Sequence, residues 1–90
     1  MAMSVARSLL YSRRTLPKLP RVSGAEAVRA LERLGFIRVR QRGSHVVMKR
    51  VQRDATHGCV VPLHPELAIG TLRGIMKQAM VTVEEFSRAL

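Results

Sequence analysis

The sequence predicts a small α+β domain: a three-stranded antiparallel sheet with helices on one face and a short helix at the C-terminal end. Three observations carry this. The chain has 90 residues, enough for one domain with a thin core and no second one. Apolar residues recur at helical spacing near both ends, and between them they alternate or run in short β-branched groups. Two Ser/Thr-x-x-Glu signatures, Ser23 to Glu26 and Thr82 to Glu85, mark where helices begin.

The elements follow in order. Residues 16–22 read as an extended lead-in, because Pro17 and Pro20 disfavour helix before them. Ser23 opens the first helix, its oxygen taking one orphan amide while Glu26 reaches back to the Ser23 amide. Ala27, Val28, Leu31 and Leu34 form one apolar stripe, and Arg29, Glu32 and Arg33 lie off it. Gly35 is placed to end that helix in a left-handed conformation. Residues 36–41 read as a strand in which Ile37 and Val39 alternate with Arg38 and Arg40, so that the two apolar side chains are expected on a buried face. Arg42-Gly43 fits a tight hairpin turn. Residues 44–50 form a second, Val-rich strand; 52–57 is a polar loop, and 57–62 a third short strand with Val60 and Val61.

A connector holding Pro65 leads to a helix over 71–79 with Leu72, Ile75, Met76 and Ala79 on one side. A last helix starts near Val83, with Val81 and Phe86 spaced as a hydrophobic staple. With two Phe, one Tyr and no Trp, the core is expected to be aliphatic. The α-β-β-β-α order is that of the double-stranded-RNA-binding fold, an analogy of fold that carries no function by itself.

Charge is the first functional clue. The formal net charge is +10, and residues 1–53 hold 13 of the 16 basic residues but only 2 of the 6 acidic ones. Such a bias points to a polyanionic partner, and Arg, its main source, suits bidentate phosphate contacts; the plain alternative is a solvated basic surface. One cysteine, Cys59, excludes an intramolecular disulfide and a multi-Cys zinc site, and fits a reducing cytoplasm. No apolar run approaches the roughly 20 residues needed to span a membrane, so a cytoplasmic protein without a membrane partner is expected. Residues 1–15 carry Arg7, Arg13 and Arg14 and no acid. They read as a disordered basic arm or a false start; a targeting segment is the third reading.

Gly43-Ser44-His45 is the sharpest motif. A His just past a Gly turn projects from a fixed backbone, and no acidic residue lies between Arg38 and Arg53. Cutting RNA without a metal requires a proton to leave the 2′-hydroxyl and one to reach the leaving oxygen. Imidazole, with a reference pKa of about 6.5, suits that work near neutrality. Arg38, Arg40, Arg42, Gly43, Ser44, Lys49 and Arg50 surround His45 in sequence and form the candidate RNA-binding set. Against this stands a plain surface His on a basic sheet. A third strand beside the second could bring His57 near the open face, while the His64 ring has only backbone to bond; for both a structural role is expected. Three scattered His lack metal-site spacing. Ser44 and Cys59 lack the base and orienting acid of a nucleophile. Arg73 and Lys77 share a helix face whose default is to meet water.

Several of these segments together resemble the HicA family of toxins from prokaryotic toxin–antitoxin pairs. Residues 23–36 (SGAEAVRALERLGF) are similar to its opening helix, and 40–47 (RQRGSHVV) to its hairpin with the Gly-Ser-His motif intact. Residues 60–64 and 70–79 resemble its third strand and second helix, and 83–86 its tail. The resemblance covers 16–90. It implies a fold like the double-stranded-RNA-binding domain and metal-independent cleavage of mRNA with no cofactor. It also implies a catalytic His at position 45 presented by Gly43, and inhibition by a HicB-like antitoxin. One departure is local: where the family usually has Gly after Gln78-Ala79, this chain has Met80. The rival readings are a non-catalytic RNA-binding module of the same fold, and an inactive member kept for its partner.

Overall fold

The computed structural model describes residues 19–90, so the basic segment 1–15 lies outside the described residues. Among these residues the order is α1 (Gly24–Arg33), β1 (Ile37–Arg42), β2 (His45–Val51), β3 (Thr56–Pro62), α2 (Ile69–Ala79) and α3 (Val83–Ala89). The sheet is antiparallel with β2 in the centre. The expected α+β architecture is therefore present, with the helices on one face and the other face open.

Local chemistry accounts for the boundaries. Both capping boxes close: Ser23 Oγ accepts from the Glu26 amide at 3.0 Å, and Thr82 Oγ1 from the Glu85 amide at 3.1 Å. Each Glu returns the bond to its cap amide at 2.9 Å. Helix α1 ends in a Schellman motif, with the Phe36 amide bonded to the Leu31 carbonyl and the Gly35 amide to that of Glu32; Gly35 supplies the positive φ of 96°. Helix α2 ends in the same way, the Val81 amide on Met76 and the Met80 amide on Lys77, but there a methionine takes the left-handed position, at φ 56° and ψ 44°.

The core lies between the helices and the covered face of β2 and β3. Val46, Met48 and Val61 come up from the sheet to meet Val28, Leu31 and Leu72. Both phenylalanines, Phe36 and Phe86, are buried there as well, so the core is less purely aliphatic than its composition suggests. Val81 and Phe86, the expected staple pair, are both in it.

Strand β1 departs from the sequence reading. All six of its residues are exposed, with Ile37 at 62% and Val39 at 50%. The cause is a β-bulge. Ile37 pairs with Lys49 and Arg38 with Met48, but Arg40, not Val39, pairs with Val47. Residues directly opposite in an antiparallel pair share a face, so Ile37 stands on the open face beside Lys49, and Val39 is the unpaired extra residue. The hairpin turn is centred one residue later than expected, on Gly43-Ser44, since Arg42 pairs with His45. Gly43 has φ 54° while Ser44 has no positive φ, the pattern of a type II′ turn.

Candidate functional site

His45 is the first residue of the central strand. It pairs with Arg42 on one side and Pro62 on the other, so its backbone is held from both flanks while its side chain is exposed. The turn before it is braced by Gln41, whose side-chain Nε2 donates to the Gly43 carbonyl at 3.0 Å. A positive φ at Gly43 allows the reversal that aims His45 outward.

The bulge decides which basic residues join it. An unbroken alternation would place Arg38, Arg40 and Arg42 on one face. Because Val39 is an extra residue, Arg40 opposite Val47 and Arg42 opposite His45 fall on the open face, while Arg38 opposite Met48 falls on the covered face. Lys49, at the same parity as His45 and Val47, is exposed on the open face. Four residues of extended chain put it about 13 Å from His45, the reach of a neighbouring phosphate and not of the one beside His45. The sheet carries no Asp or Glu, so the charge of this face is uncompensated from within. Gly58 lies opposite Lys49 on β3, and the Lys49 stem passes over it: a Cβ there would be in contact with Lys49 Cγ at 3.4 Å.

Two of the expected set are not brought to His45. Arg50 stands on the covered face, half-buried, with its guanidinium 4.8 Å from the Phe36 ring centroid and donating to the Leu34 carbonyl at 3.1 Å. Arg38 makes an ion pair with Glu32 of α1 at 3.4 Å. Both anchor the sheet to the end of α1. His57 pairs with Arg50 and is half-buried on the covered face, so the third strand does not bring it to the open one. Its parity with buried Cys59 and Val61 is the reason.

Cys59 is buried, and that burial pushes its thiol up to about 11, which leaves it protonated and a poor nucleophile. Among the described residues, no group of three or more His, Cys, Asp or Glu side chains converges to hold a metal ion, and no helix is long and apolar enough to cross a membrane. Arg73 and Lys77 are exposed on α2, as expected.

No curated protein gives a match to the chain. A family model does: that of the HicA toxin of bacterial toxin–antitoxin systems matches residues 24–81, well over half the chain. The match runs from the start of α1 through the hairpin that presents His45 to the residue after α2. The chain thus belongs to the HicA family of toxins from bacterial toxin–antitoxin systems, a membership that implies an antitoxin partner.

Proposed function

We propose that this toxin is a metal-independent endoribonuclease that cuts mRNA by transesterification with His45 as a proton-transfer residue. The observation that carries this reading is the setting of His45: exposed, held by strand pairing on both sides, and facing the same solvent as Arg40, Arg42 and Lys49. In the proposed step the 2′-hydroxyl loses its proton and its oxygen attacks the adjacent phosphorus. The bond to the 5′-oxygen breaks, and that oxygen gains a proton. The products are a 2′,3′-cyclic phosphate and a 5′-hydroxyl. Arg42, directly across from His45, opposes the charge that builds on the phosphoryl oxygens. Arg40 and Lys49 hold flanking phosphates, and Gly43 and Ser44 shape the turn against the backbone. Arg38 and Arg50 have no part in this, since each is occupied on the covered face.

The antitoxin in this reading is HicB-like. It silences the toxin by covering the His45 face with acidic side chains that complement the same arginines that receive RNA. Scarce aromatic residues argue against strong base reading by stacking.

The test is RNA integrity after incubation with purified wild type and His45→Ala, with chelator present throughout. Cleavage by wild type alone, leaving cyclic phosphate ends, is the expected result. Equal cleavage by both proteins moves the chemistry elsewhere. RNA binding without cleavage by either turns the protein into a binding module.

A further inference from the structure

The geometry points to His64 as a second catalytic residue, placed beside His45 so that the pair supplies both proton transfers of the cut. This inference rests on the ribonuclease reading and extends it.

Strand β3 ends at Pro62, but backbone hydrogen bonding toward β2 continues one residue further. The Leu63 amide donates to the Ser44 carbonyl at 2.6 Å, one step past the pair of Pro62 with His45. One residue further, the His64 carbonyl points the other way and accepts from the Gly24 amide at 2.9 Å. Backbone groups that alternate sides in this manner belong to extended chain. Pro65 reinforces it, because the residue before a proline is kept out of the helical region.

Extended chain also alternates its side chains. Val61 is buried and Leu63 packs against the core, so the alternation turns His64 to the opposite face, which is that of His45; Pro62, between them, is itself buried. His64 is exposed. Since Pro62 lies directly across from His45, His64 is its diagonal neighbour, and such pairs have Cβ atoms about 7 Å apart. That spacing lets two imidazoles flank one phosphate, one taking the proton of the 2′-hydroxyl and the other giving a proton to the departing 5′-oxygen. No outside acid, metal or oxidant is needed for the step to balance. Arg42 sits on the other side of His45. The nearest carboxylate in sequence, Glu66, is engaged by Arg21 at 3.9 Å.

The hydrogen bond that His64 makes here runs through its backbone, so side-chain replacement leaves the fold in place; melting curves of His64→Ala and His64→Gln verify this. Native RNA and an aryl ester, uridine 3′-(4-nitrophenyl phosphate), are then compared. The aryl leaving group departs without an acid. His64→Ala and His45→Ala are each expected to slow RNA cleavage by on the order of 10²-fold or more. One of the two, and not the other, should regain the wild-type rate on the aryl ester. RNA cleavage by His64→Ala within threefold of wild type overturns the proposal, as does failure of both variants to recover. A second readout does not use activity: imidazole C–H resonances of the whole protein titrated with uridine 3′-phosphate. His45 and His64 should shift together while His57 stays still; a shift of His45 alone overturns the pair. If wild type cuts nothing, the ribonuclease reading fails by itself, and this titration alone decides whether the two histidines share a phosphate.

Discussion

Gly24 lies so close to Pro62 that its bare α-carbon touches the strand whose end pairs with His45. A Cβ on Gly24 would run into the Pro62 carbonyl oxygen and come within 2.6 Å of Leu63 Cα, and its amide holds the His64 carbonyl. The first residue of α1 is thus a spacer that sets how near the helix comes to the site.

Gly24→Ala is therefore expected to destabilise the fold. Alanine gains up to about 1 kcal/mol in a helix relative to glycine. Here the backbone clash outweighs it, with a net loss of about 2 kcal/mol or more. Gly74→Ala in α2 is the contrast, since nothing lies within 4 Å of its added Cβ; it should stabilise. Urea denaturation of the two variants reads the opposite signs.

Met80→Gly should raise stability by about 1 kcal/mol, because methionine pays a steric cost for its left-handed conformation that glycine does not. The exposed Met80 side chain contributes little packing to offset this. A rise in Tm with no change in RNA cleavage is the expected outcome; a fall would show that the side chain matters more than the backbone.

Arg42 and Arg50 should separate cleanly. Arg42→Ala is expected to leave the melting temperature alone, to reduce the log–log salt slope of RNA binding by about 1, and to slow cleavage by on the order of 10²-fold. Arg50→Ala loses its stacking on Phe36 and its bond to Leu34, costing about 2 kcal/mol of stability with the salt slope unchanged. Melting curves and filter binding at several salt concentrations distinguish them.

Cys59 should resist alkylation by iodoacetamide at pH 8 in the folded protein and react readily in urea. Its thiol is raised from 9.0 to about 11 by burial. Between those values the unfolded chain releases the proton and the folded one keeps it. Stability is thus untouched below pH 9 and falls as pH rises toward 11, by at most about 1.4 kcal/mol per pH unit. Cys59→Val should flatten that decline.

Much of this was legible in the residues. Ser23, Glu26, Thr82 and Glu85 announce two helix starts because a capping box is satisfied within four residues. Gly35 and Gly43 announce a helix end and a turn because only their own backbones are involved. The order of elements and the His aimed outward by the hairpin follow from such local terms.

Which face each strand residue takes does not. Ile37 and Val39 read as buried, and Arg38, Arg40 and Arg42 as one row, only if β1 is regular. The bulge at Val39 breaks the row, leaving Arg40 and Arg42 with His45 and sending Arg38 to Glu32. His57 and Arg50 went under the helices by the register of β2 against β3. Local sequence determined where helices, strands and turns begin and end, since capping and turn chemistry act over a few residues. Tertiary structure decided the membership of the site, because the period of a strand is two and a single extra residue exchanges its faces.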